Sequence, residues 1–96
     1  MSARRRYLVC YDIRDPARLR AVHATLKSRG EPLQYSVFVC DLDKRELLAL
    51  RFDLGQVIHH QYDRVLLVDL GEEDGPSRFS FMGQAQPLPH SGPTIV

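Results

Sequence analysis

The sequence predicts an α+β domain in which an antiparallel sheet carries two helices on one face. Two amphipathic helical patterns alternate with strand-like runs, and the connections between these segments are short. At 96 residues the chain has room for one hydrophobic core. The order strand, helix, strand region, helix, strand is that of the split βαβ motif of the ferredoxin-like fold. We therefore expect a ferredoxin-like βαββαβ domain over residues 1–83, with an additional C-terminal strand.

The first strand and the first helix are predicted from residue types and from a helix start signal. Residues 7–11 are aromatic and aliphatic, which is typical of a strand. Asp15 and Pro16 have the positions of an N-cap and of the proline often found in a first helical turn. Apolar residues recur at helical spacing within residues 16–29: Leu19, Val22 and Leu26. Gly30 ends this pattern, as glycine commonly does after a helix.

The middle of the chain predicts a strand region and a second helix. Residues 33–42 are strand-like, either as one bent strand or as a short strand followed by a longer one. Asp43 and Glu46 have the spacing of a capping box, so a helix starts here. The buried face of this helix contains four apolar residues: Leu47, Leu50, Leu54 and Ile58.

The last part of the chain predicts one long strand, a turn and a short strand. Residues 64–70 are strand-like, residues 71–76 form an acidic turn, and Phe79 and Phe81 alternate as in a further strand. Three prolines in residues 84–96 prevent regular secondary structure in that tail.

The helix-free face of the predicted sheet needs a cover. We assign the following alternating residues to this face: Tyr7, Val9, Tyr11, Tyr35, Val37 and Val39. Small domains commonly cover such a face by self-association. We expect a twofold homodimer whose interface includes this face and the proline-rich tail, residues 84–96, which ends in apolar residues.

Charge is divided unevenly along the chain. Residues 1–30 contain eight Lys and Arg against two Asp, a balance of +6, and residues 31–96 contain five basic against ten acidic residues, a balance of −5. This asymmetry suggests a basic face that binds a polyanion. The alternative is a solvated helix face that binds nothing.

Composition and missing motifs exclude several classes of protein. No run of about 20 apolar residues and no signal-like segment is present, so we expect a cytoplasmic protein. Cys10 and Cys40 form no CxxC pair, which argues against a structural zinc site. The sequence has no Gly-rich phosphate loop and no Ser/His/Asp order, which makes nucleotide hydrolysis and acyl chemistry poor candidates.

Five sequence features together resemble one known family. They are Tyr11-Asp12-Ile13, an Arg-rich first helix ending in Gly30, the block Gln34-Tyr35-Ser36-Val37-Phe38 with Cys40 and Leu42, a Leu-rich second helix, and Asp63-Arg64-Val65. From about residue 6 to residue 83 the chain is similar to the small CRISPR-associated adaptation protein, the second of the two core Cas proteins, known as an endoribonuclease.

The resemblance implies a ferredoxin-like homodimer that bridges two dimers of an integrase partner along a spacer-precursor duplex. For several members it also implies metal-dependent cleavage of RNA or double-stranded DNA. Two function classes follow for this chain. One is a Mg²⁺-dependent endonuclease, and the other is a non-catalytic architectural adaptor that binds duplex DNA and the integrase.

Asp12 is the candidate catalytic residue and metal ligand, since it lies where the first strand ends and ligands gather in open sheets. One aspartate cannot hold Mg²⁺ alone, but a twofold axis would supply a second carboxylate. The alternative role of Asp12 is to cap the turn before the helix.

Four further residues are candidates for nucleic-acid binding: Arg14, Arg18, Arg20 and Ser36. The arginines follow Asp12 within two helical turns and are placed to hold phosphates near the metal, or they are simply solvated. Ser36 is either a phosphate ligand or an inert strand serine.

Overall fold

The chain folds in the predicted order of strand, helix, two strands, helix and strand. The computed structural model describes residues 4–83. Its elements are β1 (Arg5–Asp12), α1 (Pro16–Lys27), β2 (Glu31–Gln34), β3 (Val37–Leu42), α2 (Lys44–Val57) and β4 (Arg64–Glu72). The strands form one antiparallel sheet in the order β2-β3-β1-β4, so β1 and β3 are central. The predicted ferredoxin-like fold is confirmed.

The strand region of residues 33–42 consists of two strands separated by a turn. Tyr35 and Ser36 form this turn, and Ser36 has a positive φ of 63°. A serine in the left-handed region cannot continue a strand, so of the two alternatives the short strand followed by a longer one is correct. Ser36 is therefore a turn residue and not the strand serine that we had considered.

Both predicted helix starts are present. The Asp15 carboxylate accepts a hydrogen bond of 2.9 Å from the backbone N–H of Arg18, which makes Asp15 the N-cap of α1. At α2 the capping box is complete, because Glu46 N–H donates to Asp43 at 2.8 Å and Asp43 N–H donates to Glu46 at 2.9 Å. These bonds satisfy backbone donors that a helix start leaves without partners. Neither helix of residues 4–83 has the length and apolar content needed to cross a membrane.

The main core lies between the two helices and one face of the sheet. From the sheet it contains Tyr7, Val9, Tyr11, Phe38, Cys40 and Leu42, and from the helices Val22, Leu26, Leu50 and Leu54. Our assignment of Tyr7, Val9 and Tyr11 to the helix-free face was therefore wrong. Apolar residues occupy both faces of β1, so alternation alone does not reveal which set faces the helices.

A smaller apolar cluster lies on the helix-free face. Leu33, Val39 and Phe81 are buried there, with Leu8, Val37 and Phe79 packed against them. Val37 and Val39 lie on this face as predicted. Residues 76–80 have no regular secondary structure, and Phe81 is an isolated bridge residue. The tail of residues 84–96 lies outside the described residues.

Gly30 is the position where the fold leaves no room for a side chain. A Cβ atom there would collide with the carbonyl oxygen of Val39 and would lie 2.5 Å from Sγ of Cys40. Gly30 follows α1 directly, so the close approach lets the chain turn from α1 into β2 against β3.

Gly30→Ala is therefore expected to lower the free energy of unfolding by about 1 to 3 kcal/mol, the usual cost of overpacking. The measurement is urea unfolding at a fixed protein concentration. Gly55→Ala is the matched control, because a Cβ at Gly55 in α2 meets nothing within 4 Å. That change should raise stability by up to about 1 kcal/mol through helix propensity. Equal effects of the two substitutions would contradict the packing argument.

Candidate functional site

Asp12 is an exposed carboxylate on a rigid backbone. It is the last residue of β1, and its neighbours Tyr11 and Ile13 are both buried. The backbone N–H of Tyr11 donates a 3.1 Å hydrogen bond to the carbonyl of Ser36, which ties the end of β1 to the turn before β3. The backbone below Asp12 is thus held from both sides while the side chain points to solvent.

The Asp12 side chain is not used to stabilise the fold. Within residues 4–83 its carboxylate makes no hydrogen bond and no ion pair. The capping role that we considered for Asp12 belongs to Asp15. Asp12 pairs in register with Arg64 of β4, so it lies on the helix-free face with Cys10, two residues earlier. Asp12 is therefore available to a ligand from the face that we expect to dimerise.

Tyr11 is a core residue. Its ring packs 6.4 Å from that of Phe38, measured between ring centroids. Burial raises the pKa of the Tyr11 hydroxyl, which keeps it protonated at neutral pH.

Arg18 is held in a two-bond ion pair that joins α1 to the start of β4. Its Nε and Nη2 donate to the Asp63 carboxylate at 2.7 and 3.2 Å. The Asp63 side chain is 1% exposed and also accepts a 2.7 Å hydrogen bond from the backbone N–H of His59. The Arg18 guanidinium holds the pKa of Asp63 below its usual value. The pair fixes α1 beside β4, whose first residue, Arg64, pairs with Asp12 in the sheet.

Most of the N-terminal positive charge is neutralised within the fold. Five arginines of the first 30 residues pair with acids of the later part of the chain: Arg4 with Glu46, Arg5 with Asp69, Arg6 with Asp41, Arg18 with Asp63, and Arg29 with Asp53. Arg14, Arg20 and Lys27 are exposed and make no ion pair within residues 4–83. The predicted basic face is thus reduced to these three cations: Arg14 lies between Asp12 and α1, and the other two lie on α1.

A groove of about 570 Å³ lies between α1 and the turn of Tyr35 and Ser36, and we call it the α1 groove. Its apolar wall includes Tyr11, Leu19 and Phe38. It was not predicted, because it combines residues from α1, three strands and a turn. The signal in the sequence was His23, a polar residue within the apolar helical pattern, four residues after Leu19.

The rim of the α1 groove is polar and aromatic. Arg20, Gln34 and Tyr35 border it, and all three side chains are exposed. Tyr35 is 91% exposed, because it lies in the turn. We had expected it in a strand. The rings of His23 and Phe38 form a T-shaped pair, with 5.3 Å between ring centroids and an interplanar angle of 77°.

In the described part of the chain, Asp12 is the candidate metal ligand at this end of the sheet. Among the described residues no three His, Cys, Asp or Glu side chains come together as a metal centre. A lone exposed carboxylate fits Mg²⁺ only with further ligands, such as a second carboxylate, waters and phosphate oxygens. The donor set is compatible with magnesium if a second copy of the chain supplies its own Asp12.

Comparison with known proteins identifies the family. Residues 5–75 match the family described as CRISPR associated protein Cas2. The chain belongs to the Cas2 family. It is 44% identical over 64 residues to CRISPR-associated endoribonuclease Cas2 2 of Thermodesulfovibrio yellowstonii, covering 67% of this chain and 70% of that protein. It is 40% identical over 85 residues to CRISPR-associated endoribonuclease Cas2 1 of Rhodospirillum rubrum, covering 88% and 83%.

The structural comparison agrees with the family. The crystal structure of Cas2 of Streptococcus pyogenes superposes with a TM-score of 0.65 at 32% identity, covering 69% of this chain and 86% of that one. The Cas2 match spans β1 to the turn after β4 and so includes all six helices and strands of the described part. The family resemblance predicted from the sequence motifs is confirmed.

Asp63→Asn is expected to lower the free energy of unfolding at neutral pH, because it breaks the pair with Arg18. The pKa of Asp63 is lowered in the folded protein, so its contribution is present above about pH 4 and is lost as the pH falls through the folded value. In urea unfolding the difference between variant and unmodified protein should shrink in acid. Asp53→Asn, which removes an exposed pair with Arg29 at 3.6 Å, should change stability little at either pH. A pH-independent loss in Asp63→Asn would contradict the assignment.

Proposed function

We propose that this Cas2 chain is a Mg²⁺-dependent endonuclease that cleaves phosphodiester bonds through a symmetric pair of Asp12 residues in a homodimer. The observation that carries the proposal is the Asp12 carboxylate, which is exposed, unpaired within residues 4–83 and held on a rigid strand end. RNA is the preferred substrate class, because the relatives above are named endoribonucleases. Double-stranded DNA is the second substrate class.

The helix-free face supports the homodimer. Leu66 lies opposite Cys10 on this face and is 55% exposed. Leu8 and Val68 pair in the same way nearer the start of β1, and both are partly buried. Exposed apolar residues on one sheet face favour association with a second copy. Asp12 lies at the end of this face, so a twofold axis near it brings two carboxylates together.

Each residue of the proposed site has a defined part in the reaction. The two Asp12 carboxylates would hold Mg²⁺, with waters and phosphate oxygens as the remaining ligands. When bound, the ion polarises the phosphodiester and lowers the pKa of a bound water. Arg14 and Arg20, which have no acidic partner within residues 4–83, are positioned to contact phosphates. Arg18 acts on the fold through Asp63.

The second candidate function is an architectural adaptor that bridges integrase dimers and holds spacer-precursor duplex DNA. One observation favours it. Leu48 and Phe52 are 59% and 66% exposed, one turn apart on α2, which offers an apolar surface to a protein partner such as the integrase. This function needs the dimer and its arginines but not the charge of Asp12.

Asp12→Asn separates the two candidates. The substitution keeps the side-chain volume and breaks no bond within residues 4–83, so stability should not change. Cleavage of labelled RNA and duplex DNA with Mg²⁺ should fall at least about 100-fold, since even residues behind a metal ligand typically cost 10- to 100-fold. Asp74→Asn, at an exposed acid of the turn after β4, is the matched control and should keep full activity. Full cleavage by Asp12→Asn would exclude this active site.

Leu66→Arg is expected to weaken the homodimer at least about tenfold, because it places an unpaired charge in the proposed apolar interface. Light scattering over a range of concentrations measures the effect. Leu48→Arg changes a residue of similar exposure on α2 and should leave the dimer intact. If Leu48→Arg dissociates the dimer and Leu66→Arg does not, the interface lies on the helical side of the sheet.

A further inference from the structure

The α1 groove combines an apolar wall with exposed groups that have no structural role. Tyr35 is 91% exposed, and its side chain makes no hydrogen bond within residues 4–83. The exposed amide of Gln34 and the guanidinium of Arg20 are likewise unengaged in that part of the chain. An exposed aromatic ring, a free amide and a free cation thus border one cavity of about 570 Å³, a volume typical of small-molecule sites.

This set of groups matches the chemistry of a nucleotide. A flat aromatic base stacks on tyrosine and histidine rings, and an amide donates to and accepts from a base edge. Arginine takes the phosphate that follows. An aliphatic ligand would leave Arg20 and Gln34 without partners, and a base within a duplex is already stacked on both faces.

The groove and Asp12 lie at the same end of β1, on opposite faces of the sheet. Tyr11 lines the groove and is the residue before Asp12, and its N–H is bonded to the carbonyl of Ser36 in the turn that carries Tyr35. The strand end that presents Asp12 and the turn that presents Tyr35 are therefore one connected unit. An RNA strand whose base lies in the groove would therefore have to pass around the end of β1 for its phosphate to reach Asp12.

We propose that the α1 groove binds one unpaired base of single-stranded RNA, stacked on Tyr35 beside His23, with Arg20 on the adjoining phosphate. This inference rests on the proposed nuclease function for its choice of RNA. It assigns the groove a role in substrate selection, because only a strand with an unstacked base can occupy it. Asp12 carries out the chemistry, and Tyr35 selects unpaired substrate.

The test measures binding without cleavage. A single-stranded RNA containing one 2-aminopurine is titrated into the metal-free protein, and both Kd and fluorescence quenching are recorded. Tyr35→Ala should raise Kd about tenfold, within the range found for loss of one base–aromatic stack, and should reduce the quenching. Tyr35→Phe keeps the ring and should keep most of the affinity and quenching. Phe52→Ala removes an exposed aromatic residue of α2 and should change neither.

Two further ligands decide whether a base is what the groove recognises. The first ligand is RNA with an abasic position in place of 2-aminopurine, and the second is the same sequence as a duplex. Tyr35→Ala should bind each of these as tightly as the unmodified protein does. An equal loss of affinity for all three ligands, or no loss for any of them, would overturn the proposal.

The proposed nuclease function can fail separately. Asp12→Asn should keep the quenching and should bind the single-stranded RNA at least as tightly as the unmodified protein, whatever its effect on cleavage, because it removes a negative charge that repels phosphate in the metal-free protein. If the unmodified protein shows no Mg²⁺-dependent cleavage while the Tyr35 series behaves as expected, the groove is a base-binding site in a protein without nuclease activity. If cleavage depends on Asp12 but binding does not depend on Tyr35, the nuclease stands and the groove proposal falls.

Discussion

Side chains of β1 alternate between the two faces of the sheet, and both the core and the site depend on this alternation. Tyr7, Val9 and Tyr11 point toward the helices and are at most 8% exposed. Asp12 follows at the next position and therefore points to the opposite face, where it meets solvent. A shift of one residue would turn the three apolar side chains away from the helices and bring the carboxylate into the core, which is costly for an unpaired charge. The same register thus builds the core and exposes Asp12.

Ion pairs join the two parts of the chain near both ends of β1. At its start, Arg6 donates two hydrogen bonds of 2.8 and 2.9 Å to Asp41 of β3, and both side chains are buried. Beyond its end, Arg18 of α1 binds Asp63 just before β4. Removing one partner of a buried pair leaves an uncompensated charge, so the Arg6–Asp41 pair penalises other registers of β1 against β3. Net charge along the sequence consequently overstates the positive surface of the folded protein.

Local signals in the sequence predicted the local structure, and they failed where the answer depends on packing. Asp15 with Pro16 and the capping box at Asp43 act through neighbouring backbone groups, so both helix starts were predictable. The face of β1 that packs against the helices was not predictable, since apolar residues occupy both faces of this strand. The position of Asp12 at a strand end was predicted correctly, whereas the α1 groove required the turn at Tyr35 and Ser36 to be known. Its residues are distant in sequence and carry no common pattern.

The proposed carboxylate pair and the α1 groove have different symmetry. A twofold axis that brings two Asp12 residues together produces one shared metal site and two grooves, one for each protomer. Asp12 and the groove lie on opposite faces of the same sheet end, so an RNA strand must pass around the end of β1 to reach both. An RNA strand has 5′-to-3′ polarity, so a strand whose polarity fits one groove has the opposite polarity at the other groove. Each cleavage event in such a dimer therefore uses one groove with both carboxylates, and a flexible single strand meets this geometry more readily than a stiff duplex.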